Sequence, residues 1–344
     1  MKTLAAVLVE TGKPLELVEL EIPALKPGQV LVEVALSGVC HTQLLEARGH
    51  RGADRFLPHC LGHEGVGRVL EIGAGVTRVR AGERVVLSWM KGSGADVPGT
   101  TYLWSGRAVN AGAVTTFGRH AVISENRLTP LPQGVADGPA ALLGCAIPTG
   151  VGSVLNVARA EKGRSLAVFG AGGIGLCAVA GAKLAGCAPI IAVDMREDRL
   201  ALAKRLGAVH AIKADAADPV AEILRLCPGG ADYAVEATGR PSAMRQALLS
   251  VRPRGGAAVV VGNARHGETL ELDPLQFNLG KRLLGTWGGD NVPDRDFPRY
   301  ADWLASGRLD VAPLLAEPYP LERVNQALDD LESGRAARPL VRMS

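Results

Sequence analysis

Two cysteines and a histidine, far apart in the chain, are the side chains best suited to hold a reactive metal. Cys40 lies in Gly38-Val39-Cys40-His41-Thr42, His63 in Gly62-His63-Glu64-Gly65, and Cys145 in Gly144-Cys145-Ala146. Taken singly, each has an ordinary explanation: Cys often serves as a small buried apolar residue, and a His beside a Glu is often a surface pair. Taken together, two thiolates and an imidazole fill three corners of a tetrahedron and leave the fourth open. That is the arrangement of a catalytic zinc.

A second constellation is built from glycine. Gly170-Ala171-Gly172-Gly173-Ile174-Gly175 fits G-x-G-x-x-G between an apolar run at 165–169 and an Ala-rich helical pattern at 174–184. In that context the first Gly permits a tight turn and the second lets a pyrophosphate approach the backbone. The third lets helix and strand pack closely, with the helix N-terminus facing the phosphates. In a chain with 43 glycines the pattern alone is weak; its position carries it. Asp194 ends the next apolar run, where a carboxylate can accept both ribose hydroxyls of NAD and repel the extra phosphate of NADP. Arg196 and Arg199 follow closely. Arg199 is grouped with the cofactor-binding residues, and some tolerance of NADP stays open.

The elements that must position these groups follow two patterns. Up to about residue 147, short Val/Leu/Ile runs such as 30–36 and 67–73 are broken by Gly and Pro, which predicts a β-rich domain with tight turns. From 148, strand and helix alternate. Strands are expected at 165–169, 190–193, 233–236, 257–261 and 283–287, and helices at 174–184 and at 196–206, ending at Gly207. This spacing predicts an α/β, doubly wound parallel sheet. Helical segments are expected near 299–305 and 324–331, and residues 91–112 read as a long Gly-rich loop. The expected organisation is a catalytic domain from 1–147 and 288–344, with a nucleotide-binding domain at 148–287.

Composition excludes several classes. The 344 residues are 47% apolar with a formal net charge of +3, and charges of both signs are interspersed. No clustered basic face for nucleic acid emerges. The apolar run in residues 1–10 is too short for a signal peptide and is read as a first strand. No apolar stretch approaches the ~20 residues of a membrane helix. Six irregularly spaced Cys do not form a disulfide framework, so a soluble, cytoplasmic protein is expected.

The chain resembles the zinc-dependent alcohol dehydrogenases of the medium-chain dehydrogenase/reductase superfamily over essentially its whole length. The resemblance rests on Gly62-His63-Glu64-Gly65-Val66-Gly67, Cys40-His41-Thr42, Leu143-Gly144-Cys145 and the Gly170–Gly175 loop, in that order. It implies a GroES-like catalytic domain and a Rossmann domain. It also implies zinc bound by Cys40, His63 and Cys145, with Glu64 beside the metal. Zinc lowers the pKa of a bound water from ~16 to ~7 and acidifies an alcohol in the same way. Thr42 matches the hydroxyl that takes the alcohol proton and passes it toward the nicotinamide ribose. Arg338 matches a pyrophosphate-contacting guanidinium, and His41 lies where relatives contact a phosphate. The implied activity is hydride transfer between an alcohol and NAD in a homodimer or homotetramer. Trp89, Ala111 and Gly112 match substrate-pocket positions; small residues facing an indole predict a bulky or ring-bearing alcohol. The alternatives are a zinc-free reductase of activated C=C bonds and a non-catalytic NAD-binding structural protein.

Three departures stand out. Many relatives carry a second, structural zinc on a four-cysteine lobe, but residues 88–120 contain no Cys, so one zinc per chain is expected. Relatives usually have Asp where this chain has Gln43, and some place a relay His where it has Leu45. Cys60, Cys177, Cys187 and Cys227 are expected to be packing residues.

Overall fold

The computed structural model describes residues 1–343. The chain forms two compact units. The first comprises Met1–Cys145, Val292–Ser306 and the stretch from Leu315 onward; the second comprises Ala146–Asn291 and Gly307–Leu314. The short return of 307–314 to the second unit departs from the sequence reading. There Ala312–Leu314 packs on the helix Glu197–Leu206.

The first unit is organised by the strand Gln29–Gly38. Its alternation sends Val30, Val32 and Val34 into one apolar cluster and Leu31 into another, so both faces are buried. It lies in a seven-stranded sheet ordered Leu128–Pro130, Arg84–Ser88, Glu64–Ile72, Gln29–Gly38, Leu340–Arg342, Tyr319–Pro320, with His120–Ser124 also paired to Gln29–Gly38. The antiparallel register sets Ser37 opposite Gly65 and Glu64 opposite Ser88. The chain segments carrying Cys40 and His63 thus leave the sheet side by side.

The second cluster fills a closed barrel of Lys2–Leu8, Glu16–Glu21, Thr101–Trp104, Arg107–Asn110 and His59–Cys60. Two of these strands lie where the sequence suggested a long loop. Thr101–Trp104 and Arg107–Asn110 pair antiparallel, and Ser105 and Gly106, at φ 48° and 81°, make the two-residue turn. Positive φ at both turn positions matches the right-handed twist of the flanking strands. A Ser-Gly dipeptide between alternating T-Y-L-W and R-A-V-N was the available signal.

The second unit is a six-stranded parallel sheet in the order His210–Lys213, Ile190–Asp194, Leu166–Phe169, Tyr233–Glu236, Ala257–Val260, Arg282–Gly285. The order reverses beside Leu166–Phe169, which is where such sheets bind ligands, outside the carboxyl ends of the strands. The last strand stops at Gly285, short of the predicted 287, and Trp287 is 70% exposed. Among the described residues, no helix is long and apolar enough to cross a membrane.

Candidate functional site

The ligand atoms offered by Cys40, His63 and Cys145 all lie within 4.8 Å of one another, and both cysteines are buried. Cys40 follows Gln29–Gly38 and N-caps the helix His41–Ala47. His63 immediately precedes Glu64–Ile72. Cys145 follows the helix Asp137–Leu142, which packs across those two strands. Ser88 Oγ donates to Gly144 O at 2.6 Å and ties that return to the sheet. Glu64 is fully buried behind the cluster. A Cβ on Gly38 would run into its carboxylate, and one on Gly144 into its Cα and Cβ. The glycines beside both ligand cysteines therefore make room for the Glu64 side chain.

The electrostatics suit a cation. The hydrogen bond from Cys145 holds the Cys40 thiol well below its ordinary range, with burial opposing and the Arg338 charge and His63 assisting. The same bond pushes Cys145 well up. Arg338, 4% exposed, sits against Glu64, with Nε at 2.8 Å and an NH2 nitrogen at 2.5 Å from Oε1. Burial penalises its charge, but Cys40, Glu64 and Cys145 hold its pKa well above the ordinary value. His63 Nδ1 meets the Gln43 amide, and the ring bonds to Cys40. An imidazole gathered with two thiols fits zinc, whose preferred ligands are thiolate and imidazole.

The neighbouring positions differ in standing. Thr42 is half-buried, with its Oγ1 3.8 Å from Cys40 Sγ. His41 is exposed at the start of its helix, and Leu45 is buried. Trp89 is half-buried, and its N–H donates to His63 O at 3.2 Å. The pocket assignment of Ala111 is corrected. It is 1% exposed in the barrel core with Tyr102, Val109 and Cys60, because its N–H continues the hairpin ladder to Thr100 O at 2.9 Å. Gly112, just beyond, is exposed at φ 62°, with open space where a Cβ would stand. Cys60 is buried and its thiol is pushed up to about 12 by desolvation; Cys177, Cys187 and Cys227 are buried and not joined in disulfides.

In the second unit the glycine loop follows Leu166–Phe169 and opens the helix Gly173–Ala185. Gly170 has φ 91°, and a Cβ there would lie 2.6 Å from Thr238 Cγ2. Gly172, the N-cap, faces open space, whereas a Cβ on Gly175 would strike Gly170 O. Ile174 is half-buried. Asp194 Oδ2 accepts from Ala171 N at 2.7 Å and its Oδ1 from Arg196 N at 2.9 Å. Arg199 is buried and its pKa is lowered by desolvation, against the attraction of Asp198 and Asp194. Sequence reasoning did not single out Glu236. This fully buried carboxylate accepts from Thr238 N at 2.6 Å and Gly239 N at 2.9 Å, and so fixes the turn that packs on Gly170. The E-A-T-G run after a strand was its only signal.

Comparison with known proteins agrees with this geometry. Residues 26–133 match the alcohol dehydrogenase GroES-like domain and residues 173–306 the zinc-binding dehydrogenase family. The chain is 30% identical to S-(hydroxymethyl)glutathione dehydrogenase of Paracoccus denitrificans, over 99% of this chain and 100% of the relative. It is 31% identical, with the same coverage, to alcohol dehydrogenase class-3 of Cereibacter sphaeroides. Among solved structures, an alcohol dehydrogenase zinc-binding domain protein from Burkholderia ambifaria superposes with a TM-score of 0.92 at 33% identity, covering 100% of this chain and 99% of that one. Benzyl alcohol dehydrogenase from Acinetobacter calcoaceticus superposes with a TM-score of 0.91 at 31% identity, covering 100% of both chains.

Proposed function

This chain belongs to the zinc-dependent alcohol dehydrogenase family of the medium-chain dehydrogenase/reductase superfamily, and we propose that it transfers a hydride between a bulky or ring-bearing alcohol and NAD. One zinc per chain is held by Cys40, His63 and Cys145. The observation that carries this reading is the convergence of the three ligand atoms within 4.8 Å, with both cysteines buried. When bound, zinc supplies Lewis-acid activation of the substrate oxygen. The chain's own residues do the rest. The two cysteines bring negative charge to the site, and Arg338 and Glu64 balance each other beside it. Thr42 accepts the alcohol proton and passes it on.

For the coenzyme, the helix N-terminus at Gly172 and Gly173 receives the pyrophosphate where no Cβ intervenes. The Ala171 and Arg196 amides anchor the Asp194 carboxylate, and its remaining lone pairs accept the ribose hydroxyls. Arg199, His41 and Arg338 are assigned supporting cofactor contacts. Asp194→Ala should lower kcat/KM with NAD by about tenfold or more, because charge-assisted hydrogen bonds are lost. It should also narrow the preference over NADP; a wild-type enzyme that turns over NADP more efficiently overturns this assignment.

The substrate class rests on Trp89, whose backbone N–H bonds to His63 O and whose indole would offer a flat stacking face. It gains support from the name of the Acinetobacter neighbour, a benzyl alcohol dehydrogenase. Comparison of kcat/KM for ethanol, benzyl alcohol and a cyclic alcohol tests it, and ethanol as the best substrate would refute it. A homodimer or homotetramer is part of the proposal. Arg282–Gly285 leaves one edge of its sheet without a neighbour, and such an edge invites pairing with a second copy. Light scattering on the purified chain decides the point.

A further inference from the structure

Asp194 keeps more positive charge around it than an NAD site needs. It ends the strand Ile190–Asp194; Arg196 and Arg199 follow it, and Lys213 lies beside it in the parallel register. A guanidinium near the adenosine ribose is what accommodates the extra phosphate of NADP, so these cations work against the repulsion that Asp194 supplies. The surroundings of each cation decide which could act. Arg199 is buried in the face of the helix Glu197–Leu206. Lys213 Nζ lies 3.5 Å from Asp215 and 3.9 Å from Glu197. Arg196 has the side chain open to solvent, and its guanidinium is turned onto Asp198.

The contact is a fork. Arg196 Nε donates to Asp198 Oδ1 and its NH2 nitrogen to Asp198 Oδ2, both at 3.0 Å. Two parallel bonds fix the plane and direction of a guanidinium, as one bond does not. The backbone is held too, because Arg196 N donates to Asp194 Oδ1 at 2.9 Å. The Asp198 carboxyl lies below its ordinary range, chiefly through the Arg196 bond. An acid in the first turn of a helix is common, since it meets the positive end of the dipole, and Glu197 already fills that place. That role does not require a fork reaching back to Arg196, the first cation after the proposed ribose-binding carboxylate.

We propose that Asp198 is a specificity-determining residue for the coenzyme, acting through Arg196: it occupies the guanidinium that would otherwise attract a ribose phosphate. Discrimination against NADP then has two parts. Asp194 repels the phosphate, and Asp198 withholds the nearest exposed cation. The inference rests on the assignment of Asp194 to the ribose of NAD.

Titration of the full-length protein with NADH and NADPH, followed by nicotinamide fluorescence, tests it without turnover. Asp198→Ala should tighten NADPH about two- to fivefold, the scale of an exposed ion pair released, and leave NADH at the wild-type level, which also shows that the variant is folded. Adding Arg196→Ala to that variant should remove the gain. Glu197→Ala takes one negative charge from the same turn but leaves the fork, and should not change the ratio of the two affinities. An unchanged ratio in Asp198→Ala overturns the proposal. So does an equal gain in Glu197→Ala, which would make the effect one of net charge, or a gain that survives Arg196→Ala, which would give the phosphate to another cation. A wild type that binds neither coenzyme, or NADPH more tightly than NADH, overturns the coenzyme reading itself.

Discussion

The Cys40–His63–Cys145 cluster and the lobe at 91–97 lie in the same unit, and both gather polar groups away from water. The lobe completes itself. Glu125, 2% exposed, accepts from the backbone N–H of Arg78 at 2.7 Å and Ala95 at 2.8 Å, and from Thr77 N at 2.5 Å. Ser124 Oγ accepts from Val97 N and donates to Ala95 O, and Gly92 N donates to Asn126 O. Asp294 accepts from Ser93 N and pairs with Arg78. The cluster is less complete: Cys40 and Cys145 bond to each other, which holds the first thiol down and pushes the second up. In the lobe one carboxylate gathers three backbone N–H groups. The Cys40–His63–Cys145 cluster instead brings three possible ligand atoms within 4.8 Å of one another.

The largest effect should come from breaking the incomplete region. Wild-type protein purified without added metal should carry about one zinc per chain. Cys145→Ser should lose it and lower kcat/KM by about a thousandfold or more, the scale of several kcal/mol of Lewis-acid stabilisation. Metal analysis beside steady-state kinetics checks both. Two tightly held equivalents would mean that the lobe is not metal-independent, and full activity in Cys145→Ser would remove the reason for the contrast.

Next in size is the closed barrel of the same unit. Ala111→Leu should destabilise the protein by about 1–3 kcal/mol through overpacking against Tyr102 and Val109. Gly112→Leu should act instead through strain at its positive φ, without filling a cavity. If Ala111→Leu leaves the denaturant midpoint unchanged and alters only substrate preference, Ala111 lines a pocket after all.

The contrast also explains what was legible in the sequence. Cys40, His63 and Cys145 stood out because few residue types ligate zinc and each sat in a short, unusual glycine-flanked motif. The parallel sheet stood out because apolar strands buried on both faces read as continuous runs. The self-satisfied lobe was silent: Glu125 in S-E-N-R looks like any surface acid, since its partners are backbone N–H groups, which no side-chain pattern encodes. The 101–110 hairpin was hidden by the glycines around it. Arg338 was singled out only by its match to a pyrophosphate-contacting guanidinium; its pairing with Glu64 was hidden because the two lie 274 residues apart in sequence.

Glu125→Gln gives a test of similar size that discriminates better. The amide keeps one acceptor and turns an NH2 toward a backbone donor, so stability should fall by about 1–3 kcal/mol. Zinc content should stay at the wild-type level, because the lobe's carboxylate has no part in the cluster. A fall in the urea midpoint with unchanged metal content supports two independent regions; loss of zinc in Glu125→Gln would join them.

The smallest effect is the pH dependence of that difference. Burial pushes the Glu125 carboxyl up, but the Ala95, Thr77 and Arg78 amides outweigh it and leave the group below its ordinary value. A carboxyl depressed on folding contributes stability that is fully present above its unfolded pKa, about 4.3, and is lost as pH falls through the folded value. Wild type and Glu125→Gln should therefore differ by a constant amount from about pH 6 upward, with the gap closing only below about pH 4. Urea midpoints of both proteins, each zinc-loaded, between pH 7 and the lowest pH at which wild type stays folded, measure the gap directly. A gap that widens on acidification would mean that Glu125 is held protonated in the folded state. The lobe would then be fastened by a neutral acid, and the comparison between a charge-built lobe and the Cys40–His63–Cys145 cluster would fail at its first term.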